Sequence, residues 1–80
     1  MKTHELKTSQ DNFNAIEVGL KNFEIRFFDK GFKVGDRLLL REWDRFRQCY
    51  TGRETSREVT YIFQGTGIGV SEGVVIMSLK

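Results

Sequence analysis

Gly19-Leu20-Lys21-Asn22-Phe23-Glu24-Ile25-Arg26-Phe27 is the stretch in which the chain changes period. Upstream of it, Phe13, Ile16 and Leu20 recur at spacings of three and four, which is one face of a helix. Downstream, Phe23, Ile25 and Phe27 alternate with Glu24, Arg26 and Phe28, which is the period of a strand. The spacing predicts a helix of about two turns, capped by Ser9 or Asp11 and closed by Gly19 in the left-handed conformation. A strand then follows, with Phe23, Ile25 and Phe27 expected on a buried face and Glu24 and Arg26 on a polar one. Gly19 places Lys21 at the corner between the two elements, so three ionisable side chains converge within six residues.

On either side of this stretch, a short strand is expected over 4–7, and Asp29-Lys30-Gly31 and Val34-Gly35-Asp36 read as tight turns. The second turn feeds a strand from Arg37 to about Trp43, with Leu38, Leu40 and Glu42 sharing a face. Residues 44–52 follow neither period and read as an exposed loop. A longer strand is expected over 54–63, with Val59, Tyr61 and Phe63 on one side, and a last one over 73–79. Gly65, Gly67, Gly69 and Gly73 mark the connection between them; they do not make a dinucleotide-binding Gly-x-Gly-x-x-Gly, because position 70 is Val70. The aromatics at 23, 27, 61 and 63 are expected in the core. The class is α+β, mostly β: a small curled sheet or barrel with one helix covering an opening.

Eighty residues make one domain, 1–80, too small for a large buried chamber. At 39% hydrophobic and 30% charged the chain is too apolar for disorder and too mixed for a membrane span, so no membrane partner is expected. The polar first ten residues lack the apolar run of a secretory signal. A single cysteine, Cys49, excludes an internal disulfide framework and a multi-cysteine metal site, and it fits a reducing, cytoplasmic setting. His4 has no second imidazole, so no metal and no cofactor are expected, and His4 reads as a surface or packing residue.

The net charge of +2 is unevenly spread. Residues 1–36 balance, whereas residues 37–57 carry six arginines against Glu42, Asp44 and Glu54. Trp43, Phe46 and Tyr50 are interleaved with those arginines, a mixture that contacts phosphates and stacks on bases, and equally that of a solvated loop with anchoring aromatics.

Gly-x-Lys-x-x-Glu-x-Arg at 19–26 resembles the signature of the ASCH domains (activating signal cointegrator homology), small PUA-like β-barrels associated with RNA. His4-Glu5-Leu6-Lys7, Phe32-Lys33-Val34-Gly35-Asp36, Leu40-Arg41-Glu42-Trp43-Asp44 and Tyr50-Thr51-Gly52-Arg53-Glu54 extend the likeness to a small stand-alone branch of bacteria and phages. The resemblance implies an ASCH-type β-barrel with one N-terminal covering helix.

Three functions fit these residues. In the first, a cleft between Lys21, Glu24 and Arg26 on one side and Arg41, Trp43 and Arg53 on the other binds single-stranded RNA or an extruded nucleotide. Lys21 meets a phosphate or exocyclic oxygen, Arg26 a bidentate acceptor and Glu24 a base amino group. In the second, the resemblance extends to relatives that remove an acetyl group from N4-acetylcytidine with a lysine, a threonine and a glutamate. Lys21 matches their lysine, Glu24 stands where they have threonine, and Glu72 is only a positional counterpart of their acid. In the third, the exposed arginines and Trp43 dock a protein partner.

Overall fold

The structure, a computed structural model, describes residues 1–64 and 68–80. Its elements follow in the order β1 (Thr3–Ser9), α1 (Gln10–Glu17), β2 (Phe23–Phe27), a single 3₁₀ turn (Phe28–Lys30), β3 (Arg37–Asp44), β4 (Cys49–Phe63) and β5 (Val74–Leu79). They form one five-stranded sheet in the order β1-β3-β4-β5-β2, with β1 parallel to β3 and every other pair antiparallel. The fold is α+β and mostly β. It is not a closed barrel: β1 and β2 are the two edges, and no backbone ladder joins them among the described residues. The sheet curls so that these edges face each other across an open seam, which Arg26 spans by donating from Nη2 to the carbonyl of Lys7 at 2.8 Å.

The curl follows from β4. Its fifteen residues pair with β3 through the first part and with β5 through the second, with a register shift between Val59 and Tyr61. Such shifts bend a strand and increase its twist. The inner face collects Leu6, Phe32, Leu38, Leu40, Val59, Val75, Met77 and Leu79 into one core, on which Ile16 of α1 packs. Phe13 of α1 is buried as well. Ser9 caps α1 by accepting the Asn12 N–H. Leu20, expected on the buried face, is 83% exposed, because the left-handed Gly19 (φ +81°) swings the chain off the helix one residue before it.

The largest departure from the sequence reading is the parity of β2. Glu24 faces the interior and is buried, whereas Phe23, Ile25 and Phe27 are 42%, 54% and 69% exposed on the outer face. Register sets this parity. Glu24 opposes Met77 and Arg26 opposes Val75, and residues directly opposed across a ladder share a face. The inward Val75, Met77, Leu79 row of β5 therefore carries Glu24 and Arg26 inward with it. Tyr61, also expected in the core, lies outside at 62% exposure, since the shift after Val59 puts Ile62 on the inner face instead.

The loop expected over 44–52 is shorter than that: a four-residue turn at 45–48, with Gln48 left-handed (φ 54°), leads straight into β4. The connection through Gly65 and Gly67 lies outside the described residues. His4 is a packing residue, as expected. It donates from Nε2 to Asp36 Oδ2 at 2.8 Å and meets the Phe32 ring in a tilted contact at 4.6 Å. Asp36 also accepts the backbone N–H groups of Lys2 and Lys33, both at 3.1 Å, so the Val34-Gly35-Asp36 turn clamps the start of β1 to the sheet. Chiefly through His4, and against the opposing effect of burial, the Asp36 carboxyl is held below its ordinary range.

Candidate functional site

Lys21, Glu24 and Arg26 meet on the seam. Leu20 and Lys21 both donate backbone N–H to the Ala15 carbonyl, at 2.9 and 3.0 Å, and Asn22 caps the Gly19 carbonyl from its side chain. The chain therefore leaves α1 in a tight corner, with Lys21 turned towards the strand it precedes. Its Nζ donates to Glu24 Oε1 at 3.0 Å, and Arg26 Nε donates to Glu24 Oε2 at 2.8 Å. The Glu24 side chain is only 4% exposed, so these two charge-assisted bonds offset a desolvation cost of several kcal/mol.

The triad lines a hollow of about 450 Å³, within the ordinary range for small-ligand sites. Its far wall is β1 and the first turn of α1, contributing Lys7, Thr8, Ser9 and Asn12. The donor count is lopsided. Lys21 commits one of its three N–H groups, and Arg26 commits one each from Nε and Nη2, while Glu24 keeps one free lone pair on each oxygen. The hollow thus offers many donors and few acceptors. It suits a ligand rich in oxygen acceptors that also carries an N–H or amino donor, and its charge, with one acid against three cations, favours an anion.

Arg41, Trp43 and Arg53 are not part of this hollow, so the single cleft expected to hold all six residues does not form. Arg41 and Trp43 lie on the outer face of β3, out of phase with the buried Leu38, Leu40 and Glu42. Arg41 pairs with Glu5 at 2.6 Å and Glu54 at 3.0 Å and lies 3.9 Å over the Tyr50 ring. Glu5 above all pushes its guanidinium further towards the charged form. Trp43 meets Tyr50 edge-on at 5.0 Å, with Lys7 Nζ over its ring at 4.0 Å.

Arg53 serves a buried acid. Three residues of β4, Thr51, Gly52 and Arg53, stand opposite the single Glu42 of β3, with Gly52 at φ +95°. This bulge brings both neighbours of Gly52 onto Glu42: Thr51 donates to Oε1 at 2.6 Å and Arg53 to Oε2 at 3.3 Å. Arg53 also reaches Asn14 of α1 and covers the Phe13 ring at 4.8 Å. The Tyr-Thr-Gly-Arg segment is thus the device that neutralises Glu42. Cys49 is exposed, and Glu72 sits in the exposed turn before β5, outside the lining of the hollow.

Sequence reasoning missed the β1 wall. Thr8 is buried and its hydroxyl makes one long contact, 3.4 Å to the Leu6 carbonyl. Parallel pairing of β1 with β3 brings it to the seam, and that pairing leaves no local trace in a seven-residue strand. Only Ser9, as a helix cap, carried a readable signal. No helix among the described residues is long and apolar enough to cross a membrane.

Residues 3–79 match the model of a family described as a domain of unknown function, DUF3850. The chain is also similar to an uncharacterised 12.9 kDa protein in the GpA 3′ region of Escherichia phage P2, at 34% identity over 59 residues. That stretch covers 74% of this chain and 52% of the relative, so the chain spans about half the length of the curated relative it matches.

Proposed function

We propose, for a chain that belongs to the DUF3850 domain family, that the seam hollow binds single-stranded RNA or one extruded nucleotide. The observation that carries this reading is the buried Glu24 held between Lys21 and Arg26, with all three residues lining one hollow and both cations keeping unused donors. A nucleotide matches that set. Its phosphate or exocyclic oxygens meet Lys21 and Arg26, and an exocyclic amino group meets Glu24. The resemblance to the ASCH signature over 19–26 supports the same ligand class.

Fluorescence anisotropy with a mixed-sequence single-stranded RNA tests it. Arg26→Ala is expected to weaken binding by about 1–2 kcal/mol, and the wild-type affinity is expected to fall linearly with the logarithm of salt concentration. Circular dichroism of the variant checks that Glu24, still paired with Lys21, keeps the fold. Absence of binding at 50 mM salt, or binding indifferent to salt and to Arg26, rejects the reading.

A second reading, hydrolysis of an acylated nucleoside, draws on one observation: Thr8, a buried residue that carries a hydroxyl, is among those lining the same hollow as Lys21 and Glu24. It supplies the hydroxyl that position 24 lacks. Lys21 and Glu24 are engaged with each other, however, which ranks this reading below binding. Turnover of N4-acetylcytidine that disappears in Thr8→Val and in Lys21→Ala would reverse the ranking.

A further inference from the structure

The hollow at the triad is the first of three that share walls. The second, of about 150 Å³, has Arg26 and Phe27 in common with the first and adds Leu6 and Lys30. The third, of about 360 Å³, has Lys30 in common with the second and adds Lys2 and Lys33. They succeed one another in order. Along β1 the lining runs from Ser9 and Thr8 through Leu6 to Lys2, while the opposite wall advances from Lys21 through Arg26 and Lys30 to Lys33. End to end, the three hollows follow the seam for about 20 Å at the rise of a seven-residue strand, with the Arg26–Lys7 bond crossing it between the first and the second.

Its charge is distinctive. Six cations and three acids line it, a surplus of three positive charges on a chain whose net charge is only +2. Two of the acids are already engaged: Glu24 by Lys21 and Arg26, and Asp36 by His4 and two backbone N–H groups. Lys2, Lys30 and Lys33, by contrast, make no ion pair among the described residues, and all three are exposed. A concave track with free ammonium groups at one end and a base-sized hollow at the other is the layout of a single-strand binder, in which cations follow the backbone.

We propose that Lys2, Lys30 and Lys33 form a backbone-binding extension of the triad hollow, so that the ligand is a single-stranded oligonucleotide rather than an isolated nucleotide. This rests on the reading of the hollow as a nucleotide site. At about 3.4 Å per stacked nucleotide, 20 Å of groove covers roughly six nucleotides, and fewer if the strand is stretched. The Lys2 and Lys33 backbone N–H groups hold Asp36, so changing their side chains leaves the clamp on β1 intact.

The test compares uridine and cytidine monophosphates with oligoribonucleotides of two, four, six and eight residues, for the wild type, for the Lys2→Gln, Lys30→Gln, Lys33→Gln triple variant and for Arg26→Ala. Wild-type affinity is expected to rise with length up to about six nucleotides. The triple variant is expected to bind monophosphates as the wild type does, to lose at least about tenfold for the octamer, and to show a salt slope shallower by about two. A triple variant with unchanged octamer affinity and salt slope overturns the extension while leaving the hollow as a nucleotide site. Octamer binding that depends on the three lysines but not on Arg26 supports the groove and overturns the hollow. If neither monophosphate nor octamer binds, both fall. Equal binding of an oligoglutamate of the same charge, competing with the octamer, rejects nucleic acid as the occupant.

Discussion

Asp36→Ala is expected to cost about 3 kcal/mol of stability. The carboxylate is buried and accepts from three donors: the Lys2 and Lys33 N–H groups and His4 Nε2. Removing it strands the imidazole of His4 against Phe32 and frees the start of β1, an edge strand held to the sheet on one side only. An 80-residue domain has roughly 4–12 kcal/mol in all, so the loss is a large fraction. Urea unfolding followed by circular dichroism measures it, and a loss below about 1 kcal/mol would show that the clamp is unimportant. The milder Asp36→Asn adds a pH test. Because the folded state holds the Asp36 carboxyl below its unfolded value, its contribution is fully present above about pH 4 and is lost as the pH falls through the lowered folded value. The gap between wild type and Asp36→Asn is therefore expected to be full at pH 7 and to narrow between pH 5 and pH 2. A gap that does not change over that window contradicts the assignment.

Glu24→Gln is expected to cost about 2 kcal/mol and to act on binding as well. The substitution keeps the shape but leaves Lys21 and Arg26 facing each other with no anion between them. Lys21→Met is expected to cost under about 1 kcal/mol, because Arg26 still pairs with the buried carboxylate and the lysine is partly exposed. The asymmetry between the two variants, read from urea midpoints, is the signature of an acid that the site is built around. If Lys21→Met proves the more costly, the triad is organised by the lysine instead. For RNA, Glu24→Gln is expected to lower discrimination between cytidine and uridine oligomers, since the amide can turn either its oxygen or its nitrogen to the base.

The helix and its stop were legible because they are local: Ser9 caps, Gly19 turns, and Phe13 and Ile16 recur at helical spacing. The alternation in β2 was legible too, but alternation says only that two faces differ, not which one is inside. Hydrophobicity assigned Phe23, Ile25 and Phe27 inward, and the register with Val75 and Met77, some fifty residues away, sends Glu24 and Arg26 there instead. For the same reason Glu42 was placed on the face of Leu38 and Leu40, yet its partners were not visible. Thr51 and Arg53 reach it only because three residues of β4 are bunched opposite one of β3. The convergence of Lys21, Glu24 and Arg26 rests on six consecutive positions and could be seen in advance. The groove beyond it depends on β1 facing β2 across the seam, a relation no short stretch contains.

Among the described residues β2 pairs with β5 alone, and this bears on biosynthesis. That partner strand is translated last of the described elements, so the backbone N–H and C=O groups of β2 leave the ribosome well before a mate exists for them. At about 5–20 residues per second that interval lasts several seconds, long enough for a nascent chain to recruit a chaperone or to clump with its neighbours. Slowing translation before residue 74 should therefore lower the soluble yield.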